Sequence, residues 1–172
     1  MTDTGTTAPA PVRIVGIGSA AGSDSLGWDA AERLLASGWA GRYPAGKLEI
    51  STCTTPAQLP AMLDGARLLL LIDALQDGST PGSLHWLSAN TLAAGSQASS
   101  HGLGVAEALG LIDALQGDAV EVVVLGISTG ISDHGATGDT LLETAWPSLQ
   151  TTLDEIIGQY LARDETASAR YY

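Results

Sequence analysis

The chain has no phenylalanine and only one cysteine, Cys53, among 172 residues. A lone thiol cannot close an internal disulfide, and C-x-x-C metal or redox motifs are excluded with it, so a reducing cytoplasm suits the chain. Basic residues are also scarce: 7 Lys and Arg stand against 19 Asp and Glu, for a formal net charge of -12. Such a balance argues against a nucleic-acid backbone or an anionic membrane as partner and favours a basic or metal-bearing one. No apolar run approaches the ~18 residues of a membrane-spanning helix. Residues 1–11, MTDTGTTAPAP, lack the basic and apolar regions of a secretory signal and read as a flexible lead-in.

What is present is an apolar core in short runs. Leu68 to Ile72 is too short for a membrane and too unbroken for a half-exposed strand, which predicts a central strand covered on both faces. Asp73 stands where that run stops. The carboxyl ends of parallel strands are where ligands and catalytic groups collect, and an acid beside an apolar core needs a cation, a metal or hydrogen-bond donors.

Val12 to Ile17 predicts a first strand, and the glycine-containing loop after it leads to a helix from Leu26 that stops at Gly38, with Ser23 or Asp24 placed to cap it. Lys47 to Thr52 alternates as a second strand, and Pro56 to Leu63 reads as a short helix limited by Pro60. After Asp73, Gly78 to Gly82 is a turn and Ser83 to Leu87 an edge strand. A loop over 88–100 delivers His101, which opens a helix running to Gly117. Val120 to Leu125 is another buried strand, Ile127 to Asp139 a loop, and Thr140 to Leu161 a helix broken or kinked near Pro147. The order predicts a three-layer α/β/α sandwich around a mainly parallel, mixed sheet of about five strands. One domain is expected over 12–163, with a frayed tail over 164–172.

Three chemistries suggest themselves. Gly16, Gly18 and Gly22 invite a dinucleotide-binding reading, but Gly22 falls one position late for G-x-G-x-x-G, Asp24 would set a negative charge beside the phosphate, and no Walker lysine follows. A Ser-His-Asp hydrolase lacks its G-x-S-x-G elbow. The third is a trio at loop ends expected to share one sheet edge: Asp24, Asp73 and His101. Two carboxylates and an imidazole suit a first-row divalent metal with positions left open. The bland alternatives are that Asp24 caps a helix and Asp73 forms a turn. His101 is less expected at a helix start, where the positive dipole end disfavours an imidazolium. His85 reads as a solvent-facing or packed edge-strand residue, and His134 as a loop residue that could line a mouth.

These residues resemble the hydrogenase maturation proteases, from Val12 to about Ala162. The likeness is carried by Gly16-Ile-Gly18-Ser19 with Asp24-Ser-Leu-Gly27-Trp28, Ile72-Asp73-Ala74 with Gly78 and Pro81-Gly82, Ser100-His101-Gly-Leu-Gly, and Val124-Leu-Gly126-Ile127. The resemblance implies an endopeptidase without a serine or cysteine nucleophile, which trims the C-terminus of the nickel-iron hydrogenase large-subunit precursor. It also implies that Asp24, Asp73 and His101 are both the metal ligands and the catalytic groups, the nickel being supplied by the precursor and no organic cofactor being needed. A monomer is expected. The family's usual acidic pair is here Asp24-Ser25, and Asn is replaced by Ser19. Counting back from Gly27 sets the metal-binding acid on Asp24, whereas counting forward from Gly18 sets it on Ser25. The first count is preferred, because Gly27 and the helix behind it fix geometry better than a flexible loop. The competing reading is a non-catalytic precursor-binding or metal-sensing protein whose acid site is degraded by Ser25.

Overall fold

Eight consecutive buried residues, Leu68–Leu75, form the middle strand of the sheet, and every other element is placed by what covers its two faces. The structure is a computed structural model, and it describes residues 10–18, 25–87, 102–116, 119–130 and 137–168. Five strands are present among these residues: β1 (Val12–Ile17), β2 (Leu48–Cys53), β3 (Leu68–Leu75), β4 (Leu84–Leu87) and β5 (Glu121–Ser128). The α-helices are α1 (Leu26–Ala36), α2 (Gly102–Gln116) and α3 (Gly138–Ser168). The sheet order is β2-β1-β3-β5-β4. The first four strands are parallel, and β4 returns antiparallel on β5 at one edge. This is the expected mixed sheet in three layers.

Alternation along β3 sorts the layers, because successive side chains point to opposite faces. Leu68, Leu70, Ile72 and Ala74 pack into one core with residues of α1 and α3. Leu69 and Leu71 pack into the other, against α2 and the Pro56–Met62 segment. A parallel sheet buried on both faces accounts for the near-continuous apolar runs of β3 and β5.

Local chemistry explains where elements depart from expectation. Pro56–Met62 is a 3-10 helix and not an α-turn, with Pro60 inside it removing an amide donor. A second 3-10 segment, Trp39–Arg42, follows the left-handed Gly38 and was not foreshadowed by periodicity. Ser25 occupies the N-cap position of α1, with its hydroxyl donating to the Asp29 carboxylate at 2.6 Å and not bonded to the helix backbone. The expected cappers, Ser23 and Asp24, lie outside the described residues.

β5 extends through Ile127 and Ser128, two residues into the stretch expected to be loop. α3 is one helix through Pro147, so of the expected break or kink the break does not occur, and it continues to Ser168, past residue 163. An internal proline costs ~3 kcal/mol. Here Leu141, Leu142 and Ala145 before it, with Leu149, Leu153 and Ile157 after it, are buried in the same core, so packing holds both halves. At the other end, Ala10 is buried, and Pro11 accepts backbone hydrogen bonds from Arg67 and Leu68. No helix among the described residues is long and apolar enough to cross a membrane.

Candidate active site

Asp73 is one of two buried polar side chains among the described residues, only 5% exposed. It does not end its strand, as the apolar run suggested. β3 goes on through Ala74 and Leu75, which pair with Ile127 and Ser128 of β5. On the other side the ladder with β1 ends at Gly16 opposite Ile72. Asp73 is therefore the first residue of β3 beyond its pairing with β1, while still held by β5. The amide of Ala74 donates to its Oδ1 at 2.8 Å, which orients the carboxylate from within its own strand.

Register defines its neighbours. Asp73 pairs with Gly126, and Gly126 pairs with His85, so the three form one row across β3, β5 and β4. By alternation Asp73 faces the α2 side, the side that also holds Cys53 at the end of β2. The Cys53 thiol is pushed up to about 11, first by burial and then by the negative charge of Asp73. A thiol held protonated at neutral pH is not a nucleophile.

Beyond Leu75 the chain turns through a polar clasp. Asp77 accepts from the Ser128 hydroxyl at 2.8 Å, the Ser79 amide at 3.0 Å and the Ser79 hydroxyl at 2.7 Å. His85 Nε2 lies 3.5 Å from the Asp77 carboxylate and 2.8 Å from the Ser83 hydroxyl. Burial would raise the pKa of Asp77, but the hydrogen bonds from Ser79 and Ser128 and the nearness of His85 lower it on balance. Serine and aspartate meet the same imidazole nitrogen, so Ser83, His85 and Asp77 are not a nucleophilic relay, which uses both ring nitrogens. The clasp ties the β3–β4 turn to the end of β5, next to the Asp73 row. Sequence reading set His85 aside, and only the strand register could have shown it level with Asp73.

Asp24 and His101 lie outside the described residues, as does His134. Their chain neighbours are in place: Ser25 occupies the N-cap position of α1 and Gly102 opens α2. Among the described residues no three His, Cys, Asp or Glu side chains gather as a metal-binding group. A cleft among the described residues lies between α1 and α3, lined by Asp29, Glu32, Arg33, Asp139, Leu142 and Glu143. Arg33 is tied there to Glu143 at 2.7 Å and lies over the Trp146 ring.

The family model described as hydrogenase maturation protease matches residues 50–159. Among solved structures, a NiFe hydrogenase maturation protease HycI from Thermococcus kodakarensis KOD1 superposes with a TM-score of 0.58 at 22% identity, covering 87% of this chain and 93% of that one. The hydrogenase maturating endopeptidase HybD from E. coli gives a TM-score of 0.56 at 19% identity, covering 84% and 92%. A solution structure of an endopeptidase from Escherichia coli gives 0.59 at 19% identity, covering 83% and 89%. At such identities these likenesses describe the fold. A comparison with curated protein sequences returns no match.

Proposed function

The chain belongs to the hydrogenase maturation protease family and is a peptide-bond hydrolase, and from that premise we propose that it removes the C-terminal extension of a nickel-iron hydrogenase large-subunit precursor after nickel insertion. The observation that carries this reading is Asp73: a carboxylate 5% exposed inside the central strand, within the stretch matched by the family. Burying a charge there costs several kcal/mol, and cores retain such a group where function needs it.

In this reading nickel is part of the substrate. The precursor presents its metal to Asp73, Asp24 and His101, an oxygen and nitrogen donor set suited to a divalent first-row ion. Asp73 is oriented beforehand by the Ala74 amide, while Ser25 and Gly102 hold the chain one residue from each of the other two. Metal docking sets the scissile peptide against the site, so that proximity and charge stabilisation, and not a side-chain nucleophile, supply the rate. Cys53 is unsuited to be that nucleophile, being buried and protonated at neutral pH.

The test is cleavage of nickel-loaded and nickel-free precursor by the wild type and by Asp24→Ala, Asp73→Ala and His101→Ala. Trimming of the loaded precursor alone, abolished by each substitution, is the expected outcome. Equal cleavage of both precursors would refute the role of nickel, and loss confined to the last two variants would remove Asp24.

A further inference from the structure

Resting on that reading and going beyond it, we propose that Gly16 and Gly27 are positioning residues. Their bare backbones form a seat that sets the first turn of α1 directly on the peptide carrying Asp73. A Cβ built on Gly27 would lie 2.2 Å from the Ile72 carbonyl oxygen and 2.4 Å from that of Ile17. A Cβ on Gly16 would lie 2.1 Å from the Gly27 carbonyl oxygen and 2.7 Å from Cβ of Ala31. The nearest obstacle at each site is backbone, which cannot swing aside as a flexible side chain can.

Neither glycine is needed for its conformation. The positive-φ glycines among the described residues are others, including Gly38, Gly78, Gly82 and Gly130. What Gly16 and Gly27 provide is closeness of approach. Close helix–strand contact at a glycine also occurs where dinucleotides bind, but there it seats a helix behind a phosphate. Here the Ile72 carbonyl belongs to the Ile72–Asp73 peptide, so the height of α1 is measured from the peptide that supplies the site's buried acid. Leu26 and Ala30, both fully buried, press the same turn down. Asp24 is joined to the N-terminal end of that turn through Ser25, and the seat thereby fixes where the chain leading to Asp24 starts, relative to Asp73.

The experiment compares Gly27→Ala with Leu34→Ala, a cavity in the same helix about two turns beyond Gly27, using nickel-loaded precursor and temperatures at which both variants are folded. A Cβ at position 27 must move the turn by about 1 Å to bring the contact to 3.0 Å or more, and misplacement on that scale costs about 100-fold in rate. We expect kcat to fall about 100-fold with KM within about two-fold of wild type for Gly27→Ala, and kcat to stay within about two-fold for Leu34→Ala. A crystal structure of Gly27→Ala should show the first turn of α1 displaced from β1 and β3. Equal kcat losses in the two variants, or an unmoved helix, would overturn the proposal. If Gly27→Ala does not fold, Ala30→Val thickens the same buried face one turn on. An unchanged kcat in folded Ala30→Val overturns the proposal equally. Failure of the wild type to cleave any precursor strikes instead at the endopeptidase reading.

Discussion

Replacing Asp73 by Asn separates stability from activity. The carboxylate is 5% exposed in a strand buried along its whole length, and a charge in such a place carries an effective desolvation penalty of several kcal/mol. Part of that is offset by the Ala74 amide, since a hydrogen bond to a charged group contributes about 1.5–3 kcal/mol. Asparagine has nearly the same shape and keeps an oxygen for that amide, so it retains a neutral bond of about 1 kcal/mol while shedding the charge. Shedding the charge and weakening the bonds made to it act in opposite directions, so stability is expected to stay within about 2 kcal/mol of wild type, which in a chain of this size is a melting temperature within about 6 °C of it. Cleavage of nickel-loaded precursor should fall at least about 100-fold, because the amide neither binds a divalent metal as a carboxylate does nor accepts a proton. Thermal unfolding by circular dichroism and single-turnover cleavage on one preparation decide the matter. A variant destabilised by more than about 2 kcal/mol whose folded fraction cleaves at the wild-type rate would show that Asp73 is a structural group.

The same substitution has a second reporter, and the clasp has its own. With the Asp73 charge gone, the Cys53 thiol should titrate below about 11 in Asp73→Asn while staying above its ordinary value, because burial, the larger cause, remains; thiolate absorbance or alkylation rate against pH reads this in a chain with a single cysteine. Asp77 is held below its ordinary pKa in the folded state, so its stabilisation is fully present above the unfolded value of about 3.9 and is lost as pH falls through the lower folded value. Denaturant midpoints measured between neutral pH and that acid range should fall less steeply for Asp77→Asn than for wild type, and parallel curves would contradict the assignment.

The architecture was legible because it follows from patterns a sequence carries directly. Unbroken apolar runs at Leu68–Ile72 and Val120–Leu125 require strands covered on two faces, helical periodicity marks the covers, and βα alternation forces a mainly parallel sheet. Asp73 stood out for the same reason, as a charge at the end of an apolar run. Where expectation failed, long-range packing outweighed local preference: Pro147 lies within one helix because buried residues on both sides of it share a core, and β3 outruns Ile72 because β5 supplies partners for Ala74 and Leu75.

By itself the sequence determined the fold class, the family likeness and the identity of the buried acid, since composition and periodicity are properties of neighbouring residues. Only the tertiary structure decided what lies beside that acid. Strand register set Gly126 and His85 in its row, sheet order brought Cys53 under its charge, and the absence of two Cβ atoms let α1 rest on its peptide. These are contacts between residues tens of positions apart, and no local pattern encodes the distance at which two backbones meet.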